Sequence, residues 1–363
     1  MNKLNSIIAV VLLAVTFTSC KKNEEPIIVV PPSDGSTLTL NGLIGAEATA
    51  GNSVFVDFSK DKSTAVDRDS WDLGFYTGPD FKVILNSSNS ASAILVNKTD
   101  LNAVTSADYD ANRLKIGQGG GVLNADPNDL TKVIAIDDPR EASILNKTVI
   151  ATVSATDADN KVYIINRKGG ANNVLATDEL YKIRVIRKGT GYTLQYARVN
   201  ATIFSSIEVA KNNVTNFQFV SLVRGATTVV EPEKADWDIV WGYSMYWTAS
   251  GTTQLPYGFS DLVFINNLAG VSAAPITVTA NKTYASFTEA DLSTVTFDSK
   301  RDVIGSNWRI TSGTPLGIKT DLFYVVKDGS GNVYKLKFVS MGLGSDGGTR
   351  GKPVIEYKLI KKA

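Results

Sequence analysis

The 363-residue chain has no histidine, one cysteine and three methionines. Without histidine it lacks the commonest general base, so Ser-His-Asp and Cys-His catalysis are excluded. One cysteine excludes intramolecular disulfides, and the two absences together exclude zinc sites of the Cys/His kind. Charge of one sign is also missing. The 37 basic residues stand against 36 acidic ones, a formal net charge of +1, which leaves no electrostatic case for a nucleic-acid partner.

The N-terminus carries an apolar run, Ile7 to Val15, behind Met1-Asn2-Lys3. It is too short to span a bilayer as a helix and has the length of a signal-peptide core. It ends in Phe17-Thr18-Ser19-Cys20, small residues before the only thiol in the chain. The reading is a lipoprotein signal peptide over residues 1–19. Cys20 then becomes the lipidated first residue, and its acyl groups tether the chain to a membrane. Residues 20–37, with Lys21, Lys22, Glu24 and Glu25 and then Pro31, Pro32, Asp34 and Gly35, read as a flexible tether.

The chain is rich enough in apolar residues (43% of the total) to bury a core beyond this tether. Short runs alternate with period two and are broken by Gly, Asn, Asp and Ser. Ser53–Phe58, Lys161–Ile165, Tyr181–Ile186 and Tyr334–Phe338 are examples, and the pattern predicts strands. Lys327-Asp328-Gly329-Ser330-Gly331-Asn332 predicts a hairpin turn. Helical periodicity is scarce, with one capped turn expected where Ser286 or Thr288 precedes Glu289. The expected class is all-β.

The same features occur twice in the same order. Trp71-Asp72 recurs as Trp237-Asp238, Val83-Ile84-Leu85-Asn86 as Val263-Phe264-Ile265-Asn266, and Tyr181-Lys182-Ile183 as Tyr334-Lys335-Leu336. A duplication accounts for this. The expected organisation is two tandem antiparallel β-sandwich-like modules, residues 38–200 and 201–363.

These blocks resemble the HmuY family of haem-capturing surface lipoproteins of Bacteroidetes. The carrying segments are Ser70-Trp71-Asp72-Leu73-Gly74-Phe75, Val83–Asn86, Phe323–Phe338 and Tyr357. The resemblance implies an all-β fold on the outer face of the outer membrane. It also implies haem taken from host proteins and passed to a TonB-dependent receptor. In the best-known relative two histidines hold the iron, whereas other members are thought to use methionines. This chain departs from that pattern. One family histidine falls near Thr311-Ser312-Gly313, where neither hydroxyl is a good ligand for haem iron.

Trp237, Ile239, Trp241, Tyr243, Met245 and Trp247 share one parity, and on a strand they would share one face. Such a stripe reads either as core or as an aromatic platform for a porphyrin or a sugar. Met245 and Met341 are the only methionines after the initiator. Each reads either as an iron ligand or as a filler of irregular gaps in a core. Tyr243 and Tyr246 are further candidates, each needing a basic partner to hold its phenolate. The candidate haem site is therefore Met245, Tyr243, Tyr246, Trp241, Trp247 and Met341. Three other features carry no chemistry. The Trp-Asp pairs read as structural, with the aspartate capping a neighbouring turn. Asp157-Ala158-Asp159-Asn160 reads as a solvated turn rather than a calcium loop. Gly117–Gly121 lacks the residues of a phosphate loop.

Two functional readings remain open, both non-enzymatic. One is a surface-exposed binding lipoprotein that captures haem. The other keeps the fold, has lost haem ligation, and binds a glycan or a protein partner.

Overall fold

The computed structural model describes residues 30–43, 50–116, 135–140, 144–169, 173–250 and 253–363. The signal peptide, Cys20 and Gly117–Gly121 lie outside them.

The alternating runs form strands, as the periodicity predicts. In the first half these are β1 (Gly35–Thr39), β2 (Asn52–Asp57), β3 (Lys62–Asp67), β4 (Leu73–Tyr76), β5 (Val83–Leu85), β6 (Ser92–Val96), β7 (Val162–Asn166), β8 (Tyr181–Lys188) and β9 (Gly191–Arg198). Then come β10 (Ser205–Val209), β11 (Phe217–Ser221), β12 (Ala226–Thr228), β13 (Ile239–Ser250), β14 (Thr253–Ile265), β15 (Ser272–Thr277), β16 (Arg309–Ile310), β17 (Gly317–Ile318), β18 (Leu322–Lys327), β19 (Val333–Ser340) and β20 (Val354–Lys361). The predicted hairpin turn joins β18 to β19, where Asp328 accepts the N–H groups of Ser330 and Asn332. The predicted capped turn is a 3-10 segment, Glu289–Thr294, with Thr288 as N-cap and Asp291 closing a capping box.

Two five-stranded antiparallel sheets have matching order: β10-β9-β8-β7-β6 and β1-β20-β19-β18-β15. Two four-stranded sheets also match, β12-β11-β4-β5 and β14-β13-β2-β3. The second pair corrects the expected organisation. β4 of the first half pairs with β11 of the second, and β2 with β13. The halves are interleaved, so residue 200 does not separate two self-contained modules, and Pro32–Ala363 form one compact unit. The expected tether also ends early, because β1 begins at Gly35 and pairs with β20 near the other end of the chain. An edge strand gains hydrogen bonds wherever a free ladder is presented, and sequence distance does not enter that choice.

The largest core cluster joins Trp241, Trp308, Met341, Phe58, Tyr334 and Tyr357. Trp308 stacks on Phe338 with centroids 3.9 Å apart. A second large cluster lies between the first five-stranded sheet and the β4–β5 hairpin, around Phe75, Tyr192 and Ile183.

Candidate functional site

The Trp-Asp repeats are built into the interleaving. Asp72 Oδ2 accepts the Leu222 N–H at 2.7 Å, and Asp238 Oδ2 accepts the Phe58 N–H at 2.8 Å. Each carboxylate therefore holds the end of a strand from the opposite half. Asn86 and Asn266 do matching work, donating to the carbonyls of Arg68 and Trp71 and of Lys234 and Trp237. The buried lysines of the Tyr-Lys repeats also match. Lys182 donates to Val104 and Ala201 carbonyls, and Lys335 to those of Tyr284 and Phe287. All of these are structural devices, in agreement with the structural reading of the Trp-Asp pairs.

The halves differ at one hairpin. β4 and β5 are short, but the matching β13 and β14 extend as an arm. β2 pairs only with Ile239–Trp241, and beyond that β13 runs on with β14 alone. At the base of the arm the register shifts, so that Ser260 and Asp261 stand opposite Tyr243 alone. Asp261 occupies a left-handed backbone position with φ 54°, which an aspartate tolerates better than most residues. Its buried carboxylate takes Arg350 through both oxygens, at 2.7 and 2.5 Å.

The six-residue stripe does not line one platform. Trp237 precedes the strand and packs edge-on against Phe55 in a cluster of its own. Ile239 and Trp241 enter the largest core. Met245 packs with Ile116, Ala135 and Ile136, and the half-buried Trp247 lies against them. Tyr243 is half-buried, its hydroxyl 3.1 Å from Ser90 Oγ, with the Arg68 guanidinium 4.9 Å over its ring. A strand that outruns its neighbours passes several cores in turn, and equal parity then does not mean one environment.

The opposite face of the arm carries a ladder that the stripe did not include. Tyr246 stands opposite Tyr257 and stacks on Phe259 at 4.2 Å, nearly parallel, while Tyr257 tilts against Phe259. The Arg140 guanidinium lies 4.3 Å over the Tyr246 ring and pairs with Asp138. Burial pushes the Tyr246 phenol up to about 12. Alternation through Leu255, Tyr257 and Phe259 was a signal for half of this ladder. Arg140 comes from an aperiodic loop and left none.

Between the two mixed four-stranded sheets lies a cavity of about 90 Å³, walled by Phe55, Trp71, Phe219 and Trp237, with Glu231 and Arg301 also lining it. It is smaller than the roughly 300–1,000 Å³ of most ligand pockets. Burial raises Glu231 to about 8 and lowers Arg301 to about 10. Asp238 is likewise raised to about 8, and Asp137 to about 7, by burial first. The folded-state values of these three carboxyls lie above those of the unfolded chain. The native state therefore holds protons that the unfolded state releases, and stability falls as pH rises from the unfolded carboxyl range of about 4 and levels off above about 7 to 8. Urea unfolding at about pH 5 and about pH 8 should show the loss, and Glu231→Gln should shrink it. A stability that stays level over this range in the parent protein would count against these protonation states.

Among the described residues, no three His, Cys, Asp or Glu side chains are grouped to hold a metal ion. Asp157–Asp159 is a 3-10 turn tied to Ser154 through Asp159 and Asn160, a turn rather than a calcium loop. No helix among the described residues is long and apolar enough to cross a membrane.

The family model described as HmuY protein matches residues 50–357, a single span that runs across both halves. The chain belongs to the HmuY family. No curated protein and no solved structure matches it. The haem implied by the family resemblance can therefore be tested against the residues of this HmuY-family chain. Haem iron takes His, Cys thiolate, Met or Tyr as axial ligand. The chain has no histidine, and Cys20 lies outside the described residues. Met341 is fully buried beside Trp241 and Trp308, and Met245 is 2% exposed. Both thioethers are packed in apolar clusters, as core fillers are, and neither Met245 nor Met341 presents an open sulfur to a porphyrin-sized cavity among the described residues. Trp241 is sealed in the core as well. Thr311-Ser312-Gly313 is an exposed loop. Of the candidate site, Tyr243, Tyr246 and Trp247 stay together on the arm, on two faces of it. A haem held by imidazole or thioether does not fit these residues.

Proposed function

We propose that this HmuY-family chain is a non-enzymatic binding lipoprotein that uses the aromatic arm, rather than an iron ligand, to hold a flat ring-bearing ligand. The single observation behind this reading is the asymmetry of the halves. They agree in the devices that hold their turns and strand ends, and they differ in an arm whose rings exceed what the core needs. Tyr257 is 36% exposed, and Phe259 and Trp247 are half-buried. Such rings offer stacking area to a porphyrin or to a sugar. The family supplies the rest of the proposal: anchoring through lipid on Cys20, exposure at the outer membrane surface, and delivery to a TonB-dependent receptor.

The test separates stacking from ligation. Haem and metal-free protoporphyrin should bind with equal affinity, without the Soret shift of axial ligation, and Tyr257→Ala should weaken both about tenfold. A glycan-array signal with no porphyrin binding would move the ligand to the sugar class on the same arm. Haem binding with a Soret shift that Met245→Ala abolishes would overturn the reading.

A further inference from the structure

The pairing registers match the halves residue by residue. Ser92 pairs with Asn166 and Ser272 with Lys327, so Arg167 and Asp328 occupy the same place, one residue beyond the strand. Asp72 and Asp238 match through their bonds to Leu222 and Phe58. The residues before those donors, Ser221 and Asp57, match in turn.

In the first half this place is neutralised from within. The Arg167 guanidinium lies 3.1 Å from Asp69 and 3.6 Å from the buried Asp72, and Lys168 pairs with Asp69 as well. In the second half the arginine is replaced by a carboxylate. Asp57, Asp238 and Asp328 are 2%, 6% and 5% exposed. Lys60 reaches Asp57, 3.5 Å from its Oδ2, with half its side chain in solvent and a second partner in Asp236. Buried carboxylates without an ion partner are costly to keep charged.

A cleft of about 350 Å³ opens at this point. Its floor is Trp237, Asp238, Val271 and Asp328, and the exposed Lys234 and Ser330 stand at its rim. Of the residues lining it, Trp237 has its indole Nε1 buried without a hydrogen-bond partner. Trp237 is 4% exposed. The volume falls within the range of ligand pockets. The two carboxylates that line it, Asp238 and Asp328, are not grouped for a metal ion and suit a planar, multi-donor cation instead.

We infer that this cleft binds a guanidinium group carried by a ligand or partner, seated between Asp238 and Asp328 against Trp237, in the place that Arg167 fills in the first half. A guanidinium matches two carboxylates through its fork of donors, the proton that burial keeps on Asp238 leaving to solvent as the cation binds, and it is attracted to an indole face. This site is separate from the arm, and its failure would leave the stacking proposal untouched.

Calorimetric titration of the full-length protein with agmatine, a guanidinium without a carboxylate, provides the test. Saturable binding with quenched tryptophan emission is expected. Asp328→Arg, which installs the first half's own cation, should weaken binding at least about tenfold. Because Asp328 also organises the β18–β19 turn, Asp238→Asn serves as the second variant. It keeps an acceptor for Phe58 and should weaken binding to a similar degree with an unchanged near-UV spectrum. A blocked tripeptide with arginine at its centre binding more tightly than agmatine assigns the group to a protein partner, and the reverse assigns it to a free amine. No saturable binding to the parent protein, or undiminished binding in folded Asp238→Asn, overturns the inference.

Discussion

Replacing Asp261 by alanine should destabilise the protein by about 3–5 kcal/mol, the cost of breaking one side of a buried ion pair. The carboxylate is 1% exposed. It takes both donors of Arg350, and the Arg309 Nε lies 3.7 Å away, itself buried without a hydrogen bond. Removing the anion leaves two largely buried guanidinium groups without their shared counter-ion. The loss also reaches the arm, because Asp261 lies in the bulge where β14 turns outward and its carbonyl accepts the Trp308 indole N–H at 3.0 Å. Asp261→Asn should cost less, since asparagine also accepts a left-handed backbone and keeps an acceptor. Urea unfolding reads both. An alanine variant within about 1 kcal/mol of the parent would mean that the arginines find other partners, and the arm would then need a different anchor.

Asn266→Ala should cost a similar amount, about 3–5 kcal/mol, because several buried groups lose a side-chain partner at once. The Asn266 amide donates to the Lys234 and Trp237 carbonyls at 2.9 Å each, and its oxygen accepts the Asn216 amide at 2.9 Å. The residue is 1% exposed, so water cannot take its place. It closes the turn that carries Trp237 and Asp238 to the start of the arm. Asn86→Ala, with two matching bonds to Arg68 and Trp71, should produce a comparable drop. A marked difference between the two would show that the halves have diverged in how they hold their turns. Denaturant midpoints, with near-UV spectra to detect loosened packing, decide between these outcomes.

Much of the secondary structure was legible because strands repeat every two residues. Val162–Asn166 and Tyr181–Lys188 could be read as strands with no knowledge of their partners. The Asp328 turn and the Thr288 cap were legible for a related reason, since both depend on residues only three or four positions apart. The duplicated order of motifs was visible too. Its spatial meaning was not, because period two is indifferent to which strand lies alongside. Tandem modules and interleaved halves present the same alternation, and only the ladders from β2 to β13 and from β4 to β11 distinguish them.

The candidate site shows the same divide. The stripe from Trp237 to Trp247 was visible as parity, yet it resolves into separate clusters because the arm extends past β2. The guanidinium over Tyr246 and the pair of carboxylates at the cleft were not legible, since Arg140 lies far from Tyr246 along the chain, and Asp238 far from Asp328. The sequence alone determined what chemistry is closed to this protein. A chain without histidine cannot offer imidazole to a proton or to iron, whatever its fold. Only the tertiary structure decided where the remaining groups go. Burial is a property of neighbours gathered from 150 or more positions away, such as Leu222 on Asp72 and Phe58 on Asp238. That burial put both thioethers into the core and brought Asp238 and Asp328 to one cleft.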